Sequence, residues 1–371
     1  MKKNTILIFA LSRNPWVGGI YYRKNIINMM LSNNSIKDKY NIVVIVNNKY
    51  AKEFNCFENS LEIVKCRDDA NIITALSTGF KCFIKYRIKY VFPIMPYPFF
   101  KLLGITPVSW IADFQHCHYP EYFDQKEIKK RNKNFTNMAI ATNPLILSSN
   151  SCKEDLEHYF IKNRENVYIV PFTSYIDDDV NIINDKLISE VLGKYNIKKN
   201  NYVAICNQFW KHKNHKTVFE AISKLKNEEK YINTKFVFTG ELSDRRNPDY
   251  INELLLIIKH NKLENNIVIT GFIDRISQLI IMKESLFVIQ PSLFEGWGTV
   301  VEDAKVLNKR VILSDIPVHK EQANDNCVFF ESLNKDDLVD KIKLLLDNKD
   351  SVISNKSMTY EYSKVLSKVF K

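Results

Sequence analysis

The stretch Gln290 to Lys305 reads QPSLFEGWGTVVEDAK. An apolar run from Ser285 to Gln290 leads into it as a strand, and a helix is expected to open near Thr299. The joint between them carries one carboxylate, Glu295, and two glycines, Gly296 and Gly298, with Glu302 and Asp303 one turn into the helix. A strand that ends in a glycine turn and opens a helix presents unpaired backbone N–H groups and the positive end of the helix dipole. That end suits a phosphate. Acids beside it do not serve the phosphate, so they point to hydroxyl groups, as on a sugar or a ribose. An acidic first turn that only steadies the dipole accounts for Glu302 and Asp303, but not for Glu295, which stands before both glycines.

Short apolar runs alternate with helical patterns along the whole chain. Strands are predicted at 5–11, 41–46, 61–65, 90–94, 106–111, 145–148 and 167–170. A second series follows at 202–207, 235–240, 266–270, 286–290, 310–313 and 327–330. Helical periodicity lies between them, at 19–32, 70–89, 150–161, 213–227, 249–261 and 335–347. Such alternation indicates α/β architecture with parallel sheets and crossover helices. Two series of about six strands predict two doubly wound, Rossmann-like domains facing a central cleft. The expected boundaries are 1–174 for the first domain, 175–200 for a polar linker with Asp177, Asp178 and Asp179, and 201–355 for the second. A last helix, about 356–371, is expected to pack back on the first domain.

The 371 residues are enough for two cores, and the 45% hydrophobic and 26% charged content is that of an ordinary globular chain. The net charge of +11 is uneven. Residues 1–175 carry a net +10 and residues 176–371 a net +1. A basic half facing a neutral one suggests an anionic partner for the first half, such as a lipid surface. The seven cysteines are scattered without a CxxC pair, which reads as free thiols in a reducing compartment and not as a disulfide frame or zinc site. The apolar run Ile6 to Leu11 reads as a first buried strand, not a signal peptide. Tyr90 to Ala112 is broken by Lys101 and four prolines, which argues against a spanning helix.

Three further constellations fall at the carboxyl ends of predicted strands, where ligands bind in open α/β sheets. Gly18 and Gly19 follow the first strand and would let backbone approach a ligand closely; they do not form GxGxxG, which disfavours a nicotinamide dinucleotide. In WIADFQHCHYPEYF, residues 110–123, Asp113, His116 and His118 cluster just past a strand; no third or fourth ligand is spaced for a metal. A histidine there can hydrogen-bond hydroxyls or act as acid or base. In NQFWKHKNHKTVFEAI, residues 207–222, Lys211 and Lys213 precede a helix whose dipole they oppose, and a bound anion would remove that conflict.

With these residues in view, Glu295–Ala304 resembles the EGFGLPxLEA signature of GT-B glycosyltransferases of family four, retaining enzymes that use nucleotide sugars. The resemblance extends over most of the chain. Gly18-Gly19, DFQHCHYPEYF, SSNSCKEDL (148–156) and VPF (170–172) are similar to first-domain segments of bacterial members. NQFWKHKN, ITGFI (269–273), QPSLFEGWGTVVEDA and ILSDIPVHKEQ (312–322) are similar to second-domain ones. It implies that Glu295 contacts donor-sugar hydroxyls and that Lys213 contacts the diphosphate, with backbone around Gly18, Gly19, Gly296, Gly298, Thr299 and Val300. His116 would lie near the reacting sugar, with Asp113 and His118 as acceptor-side candidates. The turns at Gly240 and at Gly271, Phe272 and Ile273 would line the nucleobase pocket. The chain departs from the pattern twice. The family spacing from Glu295 lands on Asp303, with Glu302 one position earlier, so either acid could hold the ribose. The arginine usually found five positions before the phosphate lysine is Gln208, so Lys211 could supply the missing charge.

The resemblance implies metal-independent transfer of a hexose-type sugar from a nucleoside diphosphate sugar to a glycan or lipid-linked acceptor of bacterial surface polysaccharide, without a cofactor. A cytoplasmic location is expected, with peripheral attachment to the inner membrane face. Lys81, Lys85 and Lys89, flanked by Phe80, Phe83 and Tyr86, are predicted to form one helical stripe for anionic lipid, with a second cluster at Lys129, Lys130, Arg131 and Lys133. Rival readings are a GT-B epimerase or phosphorylase, an inactive scaffold, and a basic membrane- or nucleic-acid-binding protein. No helix-turn-helix, zinc-finger or RNP pattern supports nucleic acid.

Overall fold

The computed structural model describes residues 3–11, 17–67, 72–348 and 359–371. Residues 12–16, which begin the first glycine segment, and residues 349–358 lie outside the described set. The chain divides into two compact units, Met1–Tyr175 with Ser357–Lys371, and Ile176–Lys356.

Unit 1 holds β1 (Asn4–Ala10), β2 (Tyr40–Asn47), β3 (Glu62–Cys66), β4 (Ile88–Phe92), β5 (Thr106–Pro107), β6 (Ser109–Ile111), β7 (Leu145–Leu147) and β8 (Val167–Ile169). Their order is β3-β2-β1-β4-β5 in one parallel sheet and β6-β7-β8 in another. The run 106–111, expected as one strand, is shared between the two sheets. Val108 is the joint: its N–H donates to Val91 O and its C=O accepts from Ile94 N–H. Leu7, Val43, Ile45 and Val91 make one core face, covered by Cys82 and Phe100 from two helices, Ile72–Lys85 and Phe99–Leu102. The last helix, Thr359–Val369, packs on the helix Val17–Leu31, with Asn33 Nδ2 donating to Ser363 O at 2.7 Å and Phe370 edge-on to Tyr90.

The lysine stripe of unit 1 does not exist as expected. The helix ends at Lys85, and Lys89 lies in β4, where it donates to Lys371 O. The β-branched and aromatic residues of Ile88–Phe92, buried from Tyr90 to Phe92 as in a central strand, favour pairing with β1 over a further helical turn.

Unit 2 holds β9 (Tyr202–Cys206), β10 (Lys235–Thr239), β11 (Ile267–Ile269), β12 (Val288–Gln290), β13 (Val311–Ser314) and β14 (Cys327–Phe330), all parallel in the order β11-β10-β9-β12-β13-β14. Counted within the unit this is 3-2-1-4-5-6, whose direction of winding reverses between β9 and β12. The fully apolar strand YVAIC is explained by burial on both faces. Val203 and Ile205 join a core with helices His215–Leu225, Asp249–His260 and Lys335–Asp347. Tyr202, Ala204 and Cys206 join another with helices Asp185–Lys194, Arg275–Lys283 and Thr299–Val306. The segment read as a linker therefore belongs to this unit. Ile183, Leu187, Ile188, Val191 and Leu192 recur at helical spacing, and they cover the second face of β9. Asn184 caps this helix by accepting from Leu187 N–H at 3.0 Å.

Candidate active site

In unit 2 the decisive residues gather at the carboxyl ends of β9 and β12, where the sheet reverses its winding and leaves a crevice. Gln290, the last residue of β12, is buried, and the amide of Asn207 just past β9 donates to its Oε1 at 2.9 Å. Gln290 Nε2 in turn donates to Ser292 Oγ at 3.0 Å and to Glu295 Oε1 at 2.9 Å. Ser292 Oγ donates to the same oxygen at 2.7 Å, and Lys213 Nζ does so at 2.5 Å. Oε1 of Glu295 is thus saturated by three donors. Oε2 accepts no hydrogen bond from any described residue, and Glu295 keeps part of its surface accessible. Burial alone would raise this carboxyl, but the Lys213 ammonium and its hydrogen bond, with lesser help from His319 and Ser292, more than offset that and hold it below the usual carboxylate range. The arrangement is an ionised carboxylate with one oxygen fixed and the other on offer.

Two loops hold this pair in register. Leu293 N–H donates to His212 O at 2.8 Å, and Asn214 Nδ2 donates to Pro291 O at 3.1 Å. Asn214 adopts a left-handed conformation, φ 56°, at the entry to the helix His215–Leu225, and its Oδ1 accepts from Thr217 Oγ1 at 2.8 Å. Asn tolerates that conformation better than most residues. His319 lies behind the site. Its Nδ1 is 3.0 Å from both Ser314 O and Ser314 Oγ, and its Nε2 is buried with no partner among the described residues. Burial pushes this ring down to about 4, so it is neutral.

Lys211 is exposed and its backbone N–H donates to Asp244 Oδ2 at 3.0 Å. Asp244 also accepts from Arg246 N–H at 3.0 Å, and the Arg246 guanidinium sits 5.3 Å from the Trp210 ring centre. Gln208, in place of the family arginine, accepts from Glu241 N–H at 2.9 Å and so organises backbone instead of supplying charge. Gly240 is dictated by contact: its φ is +126°, and a Cβ there would lie 2.2 Å from Asn207 O. Its N–H donates to Gly271 O at 2.9 Å, next to the exposed ring of Phe272.

The helix Thr299–Val306 opens beside Glu295. Its first intrahelical bond runs from Glu302 N–H to Gly298 O at 3.2 Å, so the N–H groups of Thr299 and Val300 precede it. Gly298 itself is bracketed by Gln322, which accepts from its N–H at 2.9 Å and donates to its C=O at 3.1 Å. Gly296 is buried in the turn before it. The two acids of this helix face inward. Asp303 is fully buried, with both oxygens held at 2.6 Å by the fork of Arg275. Glu302 takes Lys305 Nζ at 2.9 Å and Gln322 Nε2 at 3.0 Å, both on Oε1. Burial raises the Glu302 carboxyl, and Lys305 and Gln322 offset only part of that. Of the two candidates for a ribose contact, Asp303 is thus committed to a buried ion pair that sequence spacing does not reveal.

In unit 1, Gly18 and Gly19 lie in the first turn of the helix Val17–Leu31, and Gly19 O accepts from Arg23 Nη1 at 2.7 Å. His116 is 2% exposed, with Nε2 2.9 Å from Asn132 Oδ1 and Nδ1 without a partner among the described residues. Burial lowers its pKa, against the pull of Asn132. Asp113 accepts from Gln115 N–H at 3.0 Å, closing a turn, and His118 Nε2 pairs with Asp155 Oδ1 at 2.7 Å, a contact that raises the histidine above its ordinary value. The three side chains are therefore separately engaged. Asn132 lies in the helix Gln125–Ile140, which sequence periodicity did not single out.

Sequence reading missed Gln290, Ser292, Asn214, Asp244, Arg275 and His319. A buried glutamine ending an apolar strand was the one local signal; the others are united only by folding. Among the described residues no three His, Cys, Asp or Glu side chains converge as a metal ligand set.

Residues 189–364 match the family model of glycosyl transferases group 1. No curated protein sequence matches the chain. Solved structures do. A glycosyltransferase from Rickettsia africae superposes with TM-score 0.69 at 18% identity, over 100% of this chain and 93% of that one. Anabaena Alr3699/HepE, solved with UDP and glucose, gives 0.66 at 14%, over 98% and 94%. WaaG, a glycosyltransferase involved in lipopolysaccharide biosynthesis, gives 0.61 at 13%, over 98% and 94%. Identities this low speak for the fold. The chain thus has the two-unit α/β fold of these glycosyltransferases, and the segment 189–364, which takes in most of unit 2, is similar to glycosyl transferases group 1.

Proposed function

We propose that this protein transfers a hexose-type sugar from a nucleoside diphosphate sugar to a glycan or lipid-linked glycan acceptor, with retained anomeric configuration and without a metal. The observation that carries the reading is the Lys213–Glu295 pair at the reversal of the sheet, with Glu295 Oε2 on offer beside a helix N-terminus. Glu295 would accept hydroxyl hydrogens of the donor sugar. Lys213 would turn toward the diphosphate, joined by Lys211 and the N–H groups of Thr299 and Val300. Charge that grows on the leaving diphosphate then meets donors already in place, which is where such sites gain most of their rate. Phe272, with the turns at Gly240 and Gly271, would contact the nucleobase. Glu302 is the better ribose candidate, because Asp303 is occupied by Arg275. Gly18, Gly19 and the acceptor-side residues Asp113, His116 and His118 would act from unit 1, where His116 Nδ1 is the atom left for a hydroxyl.

Support for a nucleotide-sugar donor comes from Alr3699/HepE, which was solved with UDP and with UDP-glucose. WaaG, involved in lipopolysaccharide biosynthesis, supports a surface-polysaccharide role; a cytoplasmic protein working at the inner membrane face is the location that role would require. The test is release of nucleoside diphosphate from a panel of nucleotide sugars, with and without acceptor glycans. Lys213→Ala should lose about a hundredfold in rate, the typical worth of one such contact. Near-normal turnover of that variant with every donor would overturn the assignment. Acceptor-independent release of the nucleotide would favour an epimerase.

A further inference from the structure

The short helix Pro317–Gln322 follows β13 and takes no part in the reaction proposed above, yet it grips the Glu295 turn on both sides. His319 and Gln322 stand three positions apart on it, on one face, and both are buried. On the side before Glu295, His319 Nδ1 lies 3.0 Å from both Ser314 O and Ser314 Oγ. Ser314 Oγ donates to Ser292 O at 2.5 Å, and Ser292 Oγ donates to Glu295 Oε1 at 2.7 Å. On the side after Glu295, Gln322 Oε1 accepts from Gly298 N–H at 2.9 Å, and its Nε2 donates to Gly298 O at 3.1 Å. The turn 292–298 is thus pinned at its first and last residues from one helical turn, directly at Gly298 and through Ser314 at Ser292.

The same hydrogen bonds fix where His319 carries its hydrogen. Ser314 O is a carbonyl and only accepts, so the hydrogen is on Nδ1. The Ser314 hydroxyl hydrogen goes to Ser292 O, which leaves its oxygen to accept from the same Nδ1–H. Nε2 is then a bare lone pair, buried with no partner among the described residues. The charges acting on the ring are Glu295, which favours its protonation, and Lys213, which opposes it; burial keeps it neutral. An apolar side chain would fill this volume without leaving an acceptor unpaired, so packing alone does not account for a histidine here. We propose that the helix Pro317–Gln322 is the positioning element of the donor site, with His319 in its neutral Nδ1–H form setting Ser292 against Glu295 and Gln322 setting Gly298 at the helix entrance. Both residues act through others: they hold Glu295 Oε2 and the N–H groups that follow Gly298 at one fixed spacing. The proposal rests on the donor-sugar role given to Glu295 above.

Two measurements on the full chain need no ligand. Histidine 15N NMR, with His319→Asn to assign the signal, should show the Nδ1–H tautomer; an Nε2–H or charged ring at neutral pH overturns the proposal. In thermal melts, Glu295→Gln should lower the midpoint of the wild type more than that of His319→Gln, because the two residues share one network; additive shifts overturn it. The third measurement is nucleoside diphosphate release. Asparagine places its amide N–H where Nδ1 stood, and glutamine where Nε2 stood. His319→Asn should keep kcat/KM for the donor within about threefold, whereas His319→Gln should lose about tenfold, with affinity for the corresponding nucleoside diphosphate alone unchanged. Gln322→Met, which lacks both bonds to Gly298, should lose about tenfold as well. Equal activity of His319→Asn and His319→Gln, or wild-type activity of Gln322→Met, overturns the brace. If the wild type turns over no donor, the transferase reading fails, while the tautomer and the midpoint cycle still decide the brace.

Discussion

Lys213 Nζ lies 2.5 Å from Glu295 Oε1 although 82 residues separate the two in sequence, and neither side chain is more than slightly exposed. The loops after β9 and β12 bring them together because the sheet changes direction between those strands. An ion pair so placed contributes little net stability, but removing one partner leaves the other charge poorly solvated. In the proposed reaction the ammonium would have two partners, the carboxylate in the resting protein and a diphosphate in the bound one.

Lys213→Ala should therefore lower stability as well as rate. Loss of a partner from a buried pair costs about 3 kcal/mol, seen as a lower thermal midpoint. Lys213→Ala/Glu295→Gln should recover much of the midpoint but none of the nucleotide release. Separate measurement of unfolding and turnover distinguishes the two effects.

Acid should act through the same carboxylate. Its folded pKa lies below the ordinary 4.5, so its stabilisation is fully present above pH 4.5 and fades as pH falls through the lower folded value. Comparing wild type with Glu295→Gln in denaturant melts, the wild-type advantage should be constant at neutral pH and shrink in that acid window. An advantage that grew toward acid would contradict the environment described for Glu295.

Gly240→Ala would place a methyl carbon 2.2 Å from Asn207 O at a backbone angle that side chains avoid. Both are backbone constraints, so no rotamer relieves them. The expected loss is about 1–3 kcal/mol from overpacking, with further strain from φ, read by chemical denaturation. Donor affinity should fall too, because Asn207 orients Gln290 and through it Glu295.

Asp303→Asn should behave as a structural lesion. It leaves the Arg275 guanidinium buried without its charge partner, at a cost of about 3–5 kcal/mol. Glu302→Gln should instead raise the donor KM with a smaller change in midpoint. The opposite pattern, a donor KM that depends on Asp303 in a protein of normal stability, would return the ribose role to Asp303.

The period-two and helical patterns made most elements legible. YVAIC and the run into Gln290 are apolar throughout because both faces of a central parallel strand are covered, and they stand out in any reading. The helix Asp185–Lys194 was obscured because only one stripe of it is apolar, amid polar residues. The stripe 81–85–89 misled because side-chain spacing alone does not reveal that the helix stops at Lys85.

The sequence by itself determined the two series of parallel strands, the strand–glycine–helix joint at Glu295 and the lysines of the preceding loop, because each depends on neighbours within one or two turns. It left Glu302 and Asp303 as equal candidates. Only the tertiary structure shows how their surroundings differ, with Arg275 from another helix on Asp303 and Lys305 and Gln322 on Glu302. The same holds for Glu295, whose fixed and open oxygens follow from three donors, one at the end of β12 and one on each of the loops after β9 and β12. Which oxygen of a carboxylate is available depends on geometry in three dimensions, and linear spacing carries no record of it.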